Sequence, residues 1–304
     1  PISVEHYFFN ETLAPGPLAN PTRKDVMLSE KKALDKEHLL FESKGYAAYL
    51  IYALDAPNWI QEIGRLRALN ERLSGRGISQ PRCLDELDLY HEHIILWSTE
   101  EKQIVASCRV GDGKRVFATH GKSGLSLDQA FRLNPAFDSL LKKSIDVDCF
   151  YLEHGSSKDD VLLSLLWSSI AMMLHDRPYL RYLSSLSSLR LEEVNSRVPN
   201  AIKTFISERK DDALASYIKP KNSKLMTDVS SQSMTEKGQD IASMKSHPIC
   251  LPAPAHIAHA IHQHAKVLSI TADEKNSSEI KALIWMELQD FPQQWIAQAG
   301  GLRE

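Results

Sequence analysis

The chain has 304 residues, of which 43% are hydrophobic and 25% are charged, and its formal net charge is −3. This is the composition of an ordinary soluble globular protein, with room for one large or two modest domains. A net charge so close to zero gives no global argument for nucleic acid, so we expect no nucleic-acid partner. The longest apolar run, residues 161–174, is too short to span a bilayer, and the N-terminal residues lack the pattern of a secretory signal.

The number and spacing of the cysteines indicate the cellular compartment of the protein. The four cysteines lie far apart with no paired spacing: Cys83, Cys108, Cys149 and Cys250. This spacing favours reduced thiols in a cytoplasmic protein over a disulfide framework or a zinc site. We therefore expect a cytoplasmic location, and peripheral contact with the inner membrane face stays open as an addition to it.

The N-terminal third of the chain predicts a strand followed by an amphipathic helix. Residues 1–45 are rich in Pro, Asn and charge and are interpreted as an N-terminal extension. Residues 47–54 form a predicted strand, and a helix follows from near Asp55 until Gly75 or Gly77. Its apolar stripe consists of Trp59, Ile60, Ile63, Leu66 and Leu69. Three arginines flank that stripe or point away from it: Arg65, Arg67 and Arg72.

A hairpin is predicted next. Its strands are residues 89–97 and 104–110, because a polar segment separates two apolar runs. Residues 115–119 are interpreted as an extension of this hairpin. Short helical stretches are expected around residues 126–132 and 135–143.

The segment around residues 145–152 predicts a strand with an acidic face. Ile145, Val147, Cys149 and Tyr151 alternate with Asp146 and Asp148. Aspartate is a poor strand former and is costly to bury without a partner, so this face is either the edge of an active site or a wet sheet surface.

A helix and a further strand follow the acidic strand. Residues 158–174 should form a helix that is buried nearly all round, because apolar residues occupy most of its turns. Residues 179–187 form the next strand. This strand–helix–strand unit should be parallel, with a right-handed crossover.

The remaining segments predict a core and a C-terminal extension. Residues 190–217 are expected to be mostly helical, and the weakly hydrophobic residues 222–247 form a linker or mobile loop. A helix at 254–264, strands at 266–272 and 280–288, and a helix at 291–298 should follow. The predicted organisation is therefore a core at residues 46–221 and a C-terminal α/β extension at 248–304 packed on that core.

Two histidine patterns raise the question of a metal. One places four histidines on a predicted helix: His256, His259, His262 and His264. The other places His91 and His93 on one face of a strand. No carboxylate or cysteine stands at a fixed ligand spacing beside the helical set. A half-exposed helix face and a solvated sheet face are the favoured interpretations, so no metal site is predicted.

Arginines and acids recur at the ends of several predicted elements. They are Arg65, Arg67 and Arg72, then Asp85, Glu86 and Asp88, then Arg109 and Asp146. Residues from several elements meet in this way in a cleft. A surface ion-pair network of little energetic value is the alternative interpretation.

The order of these segments resembles the hemolysin-like branch of the GNAT N-acyltransferases, which is related to ornithine-lipid and glycine-lipid N-acyltransferases and to acyl-homoserine lactone synthases. The resemblance covers about residues 45–300. Its main segments are EIGRLR (62–67), RLSGRG (72–77), ELDLYHEHIILW (86–97), IVASCRVG (104–111), LLWSSI (165–170) and PYLRYLSSLS (178–187). It implies an α/β fold with a GNAT-like mixed sheet flanked by helices and a C-terminal extension.

The resemblance also implies roles for particular residues. The implied catalytic acids are Asp146, Asp148, Glu86 and Asp88. The implied substrate-binding residues are Arg67, Arg72 and Arg109, and a donor phosphate would lie at Gly155, Ser156 and Ser157. Asp146, at the position of the family's glutamate, is expected to take the proton of the amine. Repulsion between Asp146 and Asp148 is expected to raise the pKa of one of them.

The implied activity is transfer of a fatty acyl group from acyl carrier protein or acyl-CoA to an amine such as an amino acid. No cofactor is bound permanently, because the phosphopantetheine arm or CoA arrives as a co-substrate. The chain departs from the family's Glu-Leu-Gly-Arg-Ser strand, where it has Asp146–Phe150. The alternative is therefore a catalytically impaired GNAT-like protein that binds an acyl carrier or lipid in a regulatory or interaction role.

Overall fold

The structure is a computed structural model that describes residues 16–73, 80–153, 159–190, 211–222, 265–272 and 279–303. Four sets of sequence predictions lie mostly or wholly outside these residues. They are the mostly helical stretch at 190–217, the linker 222–247, the helix at 254–264 with its four histidines, and the phosphate site at Gly155, Ser156 and Ser157. Of the first stretch, residues 212–215 are helical and residue 190 ends a strand.

The chain divides into two units that interleave along the sequence. Unit 1 contains residues 1–112, 147–179 and 293–304, and unit 2 contains residues 113–146 and 180–292. The helices of the described residues are α1 (Lys24–Glu37), α2 (Pro57–Leu73), α3 (Gly113–His120), α4 (Ser126–Ala130), α5 (Asp138–Leu141), α6 (Asp159–His175), α7 (Asp212–Ala215) and α8 (Gln293–Arg303). The strands are β1 (Leu39–Ser43), β2 (Tyr46–Ile51), β3 (Glu92–Ser98), β4 (Gln103–Asp112), β5 (Phe131–Leu133), β6 (Ser144–Leu152), β7 (Tyr182–Arg190), β8 (Ile218–Pro220), β9 (Lys266–Ala272) and β10 (Glu279–Glu287).

The described strands form a large mixed sheet in the order β1-β2-β3-β4-β6-β7-β10-β9, with β5 and β8 as a separate pair. Strands β1 to β4 are antiparallel neighbours. The acidic strand β6 pairs with β7 in parallel, with Asp146 opposite Ser184. This is a mixed α/β fold with a large mixed sheet, as the sequence predicts.

Aromatic packing holds α2 against the strands of unit 1. The indole of Trp59 stacks on that of Trp97, with 4.9 Å between ring centroids, and Tyr49 meets Trp59 edge-on at 5.3 Å. The Trp59 indole also donates a hydrogen bond to the carbonyl oxygen of Met27 at 3.0 Å. Buried aromatic pairs with a satisfied indole combine apolar burial with a defined orientation, so α2 is fixed in its rotation about its axis.

Helix α6 is buried nearly all round, as predicted. Eleven of its seventeen residues, including Ser168 and Ser169, are buried. Its Trp167 stacks on Trp295 of α8 at 4.8 Å, and its Ser164 hydroxyl donates to the side chain of Gln298 at 2.6 Å. The apolar character on every side of α6 thus reflects cover by other elements of unit 1, including α8.

Unit 2 has its own aromatic core. Trp285 of β10 lies 5.0 Å from the ring of Phe137 and 5.1 Å from that of Tyr182. Strand β10 pairs antiparallel with both β7 and β9. The predicted strands at 266–272 and 280–288 are therefore confirmed, as is a helix at the predicted place after them.

Two local predictions are wrong. Residues 115–119 belong to helix α3 and not to an extension of the hairpin, and residues 131–133 form a strand paired with β8 within a stretch predicted to be helical. Apolar runs this short do not distinguish one helical turn from a strand by their periodicity. Packing decides, since the backbone at Gly113 lies directly against other backbone groups.

No helix in the described part of the chain is both long enough and apolar enough to cross a membrane.

Replacement of Gly113 by alanine should destabilise the protein strongly. A Cβ there would overlap the carbonyl oxygen of Leu141 and lie 2.7 Å from that of Ser144, and backbone atoms cannot rotate away as a flexible side chain can. We expect Gly113→Ala to lower the free energy of unfolding by about 2–4 kcal/mol, measured by urea denaturation. The matched control is Gly300→Ala in α8, where a Cβ meets nothing within 4 Å and should add up to about 1 kcal/mol. Equal stability of the two variants would contradict the close approach at Gly113.

Candidate functional site

A buried group of charged side chains occupies unit 1. It consists of Arg67, Asp85, Asp88, Arg109 and Asp148, which we call the charged cluster. Its members come from α2, the turn 86–89 with its N-cap, β4 and β6. Four of the residues that the sequence placed at the ends of different elements therefore do meet: Arg67, Asp85, Asp88 and Arg109. The surface-network interpretation is wrong for Arg67, Asp88 and Arg109, because these three are buried.

The turn that presents two of the acids is built by those same acids. Asp85 accepts a hydrogen bond from the Leu87 amide at 2.9 Å, and Asp88 accepts one from the Asp85 amide at 2.8 Å. This reciprocal capping satisfies backbone donors at the start of the turn. One Asp88 oxygen and one Asp85 oxygen are thus committed locally before either acid meets an arginine.

Arg109 of β4 uses all its nitrogens on carboxylates. Its Nε and Nη2 donate to the two oxygens of Asp148 at 2.8 and 2.7 Å, a bidentate pair. Its Nη1 donates to Asp85 and lies 3.2 Å from an Asp88 oxygen. Because its donors are already occupied, Arg109 has none to spare for a ligand.

Arg67 of α2 is only partly used. Its Nη1 donates to Asp88 at 2.8 Å, while its Nε and Nη2 have no hydrogen-bond partner among the described residues. The residue is nevertheless only 4% exposed. A buried guanidinium with two open donors is unusual, since such groups are normally satisfied.

The cluster holds its acids ionised. Burial opposes the charge on Asp88, but the guanidinium groups of Arg109 and Arg67 outweigh burial and keep the pKa of the Asp88 carboxyl well below its usual range. Burial likewise raises the pKa of the Asp148 carboxyl, but Arg109 lowers it by more, so the pKa of Asp148 lies below its usual value. Of the two acids whose mutual repulsion was expected to raise one pKa, Asp148 therefore has a lowered pKa, and Asp88 and Asp148 are weak bases.

His91 and His93 are buried, so their interpretation as a solvated sheet face is wrong. His93 lies opposite Arg109 in the sheet register, and its Nε2 is 3.0 Å from the Asp88 carbonyl oxygen. His91 packs on Gly111, where a Cβ would come within 2.5 Å of the His91 ring. Both faces of β3 are covered by other parts of the protein. The alternation of two polar residues in the sequence could not show this.

Asp146 lies in unit 2 and has different partners. Its carboxylate accepts hydrogen bonds from the Ser126 amide at 2.6 Å and the Ser126 hydroxyl at 2.8 Å, and the Ser184 hydroxyl lies at 3.4 Å. At 1% exposure it is fully buried. The acidic face of β6 is thus not a wet surface, because each aspartate is buried against donors within its own unit.

The strand alternation holds from Ser144 to Asp148 and then breaks. Cys149 has φ 49°, a left-handed conformation that is uncommon outside glycine and marks an irregularity in the strand. Its thiol is half-buried, and burial raises its pKa well above the usual range despite the nearby charge of Arg109. The prediction that Cys149 continues the apolar face of β6 is therefore wrong.

Two other predicted site residues lie apart from the cluster's ion pairs. Glu86 is exposed on the turn whose neighbours enter the cluster. Arg72 donates instead to the carbonyl oxygens of Gly16 and Gln80, at 2.9 and 2.8 Å. Their predicted roles in catalysis and substrate binding stay predictions.

Sequence reasoning missed a second buried ionic group in unit 1. Arg177 binds both oxygens of Glu92 at 2.7 Å and lies 3.6 Å from Asp112, which also accepts a hydrogen bond from the Tyr179 hydroxyl. The available signal was the acid at one end of each hairpin strand. Because Arg177 is far away in sequence, its pairing with them was not visible.

Cysteines and histidines do not assemble a metal site in the described residues. Cys83, Cys108 and Cys149 are free thiols, and Cys250 lies outside the described ranges. Among the residues that the structure describes, no group of three or more His, Cys, Asp or Glu side chains is arranged to hold a metal ion.

The sheet, its parallel pair and the covering helices define a mixed α/β protein. No protein-family model matches the chain. It is 27% identical over 174 residues to the glycine N(alpha)-acyltransferase of Phocaeicola vulgatus, covering 53% of this chain and 53% of that protein. It is 26% identical over 176 residues to the glycine N(alpha)-acyltransferase of Bacteroides thetaiotaomicron, covering 54% and 52%.

These relatives confirm the predicted resemblance to an acyltransferase family, and the chain spans about half the length of the curated relatives it matches. A crystal structure of the acyl-homoserine lactone (AHL) synthase LasI aligns with 80% of this chain and 90% of its own, at 10% identity and a TM-score of 0.37. That likeness is too weak to bear on the fold or the function of the chain.

The buried His93 should make stability depend on pH. Burial, the main cause, lowers the pKa of His93 to about 4, whereas the unfolded histidine titrates near 6.5. The unfolded state therefore binds more protons below pH 6.5, and stability falls as the pH falls. When the pH is lowered from 6.5 to 5, the free energy of unfolding should fall in both the unchanged protein and the His93→Gln variant. The fall should be larger by roughly 2 kcal/mol in the unchanged protein, measured by urea denaturation.

His175→Gln is the matched control, because His175 is exposed at the end of α6. It should retain the pH dependence of the unchanged protein. A His93→Gln protein with the same dependence would contradict a neutral, buried His93.

Proposed function

We propose that the chain is an N-acyltransferase that moves a fatty acyl group from a thioester donor, acyl carrier protein or acyl-CoA, to a small amine such as an amino acid. The observation that carries the proposal is its likeness to two glycine N-acyltransferases over about half its length. The mixed sheet with its parallel β6–β7 pair supports the same reaction class.

The reaction needs few groups from the protein. The neutral amine attacks the thioester carbonyl, a C–N bond forms, and the C–S bond breaks to release the thiol. The amine must lose a proton, so a carboxylate or a water chain leading to one is the useful group. No permanently bound cofactor is required, because the pantetheine thiol arrives and leaves with the donor.

Asp146 is the proposed base. By the resemblance it stands at the position of the family's glutamate, and the hydrogen bonds that its carboxylate accepts from Ser126 come from a neutral amide and a neutral hydroxyl. Asp148 and Asp88 are less suited, because Arg109 and Arg67 stabilise their charge and lower their pKa values. We assign those two acids to holding the arginines in place.

A catalytically impaired acyl-carrier or lipid binder is the second candidate, and one observation favours it. Asp148 stands where the family has glycine, and it occupies the bidentate edge of Arg109. An arginine whose donors are all used by the chain's own acids cannot take part in substrate binding. This candidate predicts donor binding without turnover.

A product assay tests the proposal directly. We expect the full chain, incubated with acyl-CoA or acyl carrier protein and a pool of amino acids, to yield an N-acyl amino acid detected by mass spectrometry. Omission of either substrate is the control. Tight donor binding with no acylated amine from any amino acid would favour the impaired binder instead.

Replacement of Asp146 by asparagine tests the base. The substitution keeps the size of the side chain and removes its ability to take a proton, so the rate of the chemical step should fall by roughly a hundredfold. Donor binding should be unchanged. The matched control, Asp25→Asn, alters an exposed acid on α1 and should keep full activity. Full turnover in Asp146→Asn would show that this carboxylate is not the base.

A further inference from the structure

The two arginines of the charged cluster use the same edge differently. In Arg109 the edge formed by Nε and Nη2 binds both oxygens of Asp148, at 2.8 and 2.7 Å. In Arg67 the corresponding edge has no partner among the described residues, while Nη1 is held by Asp88. The cluster therefore contains two guanidinium edges of identical chemistry, one that binds a carboxylate and one that is open. We call the edge formed by Nε and Nη2 of Arg67 the open fork.

The open fork is costly unless something occupies it. Arg67 is only 4% exposed, and each buried donor without an acceptor costs about 1–3 kcal/mol. Its Nε–H and Nη2–H point in parallel from one edge of the planar guanidinium, a geometry that matches the two oxygens of a carboxylate or of a phosphate. Asp148 fills this edge in Arg109, whereas no described residue fills it in Arg67.

The charge of the cluster decides between kinds of oxyanion. Two guanidinium groups face three carboxylates, so the cluster already holds one negative charge in excess. Asp85 has 41% of its side chain exposed, so water can solvate this excess negative charge. A bare anion on Arg67 would add to the excess, whereas a zwitterion adds no net charge and offers an ammonium group to the acids.

We propose that the open Nε and Nη2 edge of Arg67 binds the carboxylate of the acceptor, and that the acceptor is a zwitterionic α-amino acid. This inference rests on the proposed function, which requires an amine acceptor. The inference selects Arg67 from the three arginines predicted to bind substrate, because Arg109 has no open edge and Arg72 donates to backbone carbonyl oxygens. Arg67 is then a binding residue, and Asp88 positions it through Nη1.

Calorimetric titration of the full chain without acyl donor tests the inference. The probes are glycine, acetate, glycinamide and inorganic phosphate. Glycine should bind most tightly, acetate more weakly because it lacks the ammonium group, and glycinamide should not bind because it lacks the carboxylate. Phosphate as the tightest ligand would place a donor phosphate at this edge and overturn the assignment to an acceptor.

Arg67→Lys tests the edge itself. Lysine keeps the positive charge beside Asp88 but has no fork, so glycine affinity should fall by about ten- to hundredfold. The matched control is Arg65→Lys, two residues earlier on α2, where the arginine pairs with Glu62. It should bind glycine as the unchanged protein does. Undiminished glycine binding by a folded Arg67→Lys protein would overturn the inference.

The outcomes separate this inference from the proposed function. If Arg67→Lys does not fold, the series of four probes on the unchanged protein decides, since glycinamide binding as tight as that of glycine overturns the inference. Arg67-dependent glycine binding without any acyl transfer supports the site but not the enzyme. Acyl transfer with the same KM for glycine in Arg67→Lys supports the enzyme and overturns the site.

Discussion

A buried guanidinium must be paired, and the arrangement of unit 1 around β4 follows from that constraint. Arg109 lies almost fully buried and reaches acids from β6 and from the turn before β3. Removal of any one partner would leave a charge uncompensated in a poorly solvated place, which costs far more than a surface ion pair. The charged cluster thus connects four chain segments through electrostatic interactions that apolar packing alone would not specify.

The same constraint explains what the cluster can do chemically. Acids that are needed to neutralise buried arginines keep low pKa values, so they position other groups and serve poorly as bases. Asp146 accepts hydrogen bonds from the hydroxyl and the amide of Ser126. The two aspartates of β6 therefore differ in chemistry although they stand two residues apart, and only Asp146 is proposed to move a proton.

The relation between the cluster and the likeness to glycine N-acyltransferases is chemical. An amino-acid acceptor brings a carboxylate that needs a cation and an amine that needs a base. Arg67 of unit 1 has an open cationic edge of the kind that such a carboxylate needs. Because Asp148 binds the corresponding edge of Arg109, Arg67 is the arginine of the charged cluster that has open donors among the described residues.

Local patterns in the sequence determined most of the strands and helices, because hydrophobic periodicity reports directly which face of an element is covered. Strands β2, β3 and β6 and helices α2 and α6 were predictable in this way, as was the recurrence of arginine and aspartate at element ends. The sequence could not show that His93 is buried, that Arg177 pairs with Glu92, or that residues 113–120 turn into a helix. Nor could it distinguish Arg67 from Arg109. Those features depend on contacts between residues distant in the chain, and only tertiary packing decides which buried donors are satisfied and which remain open.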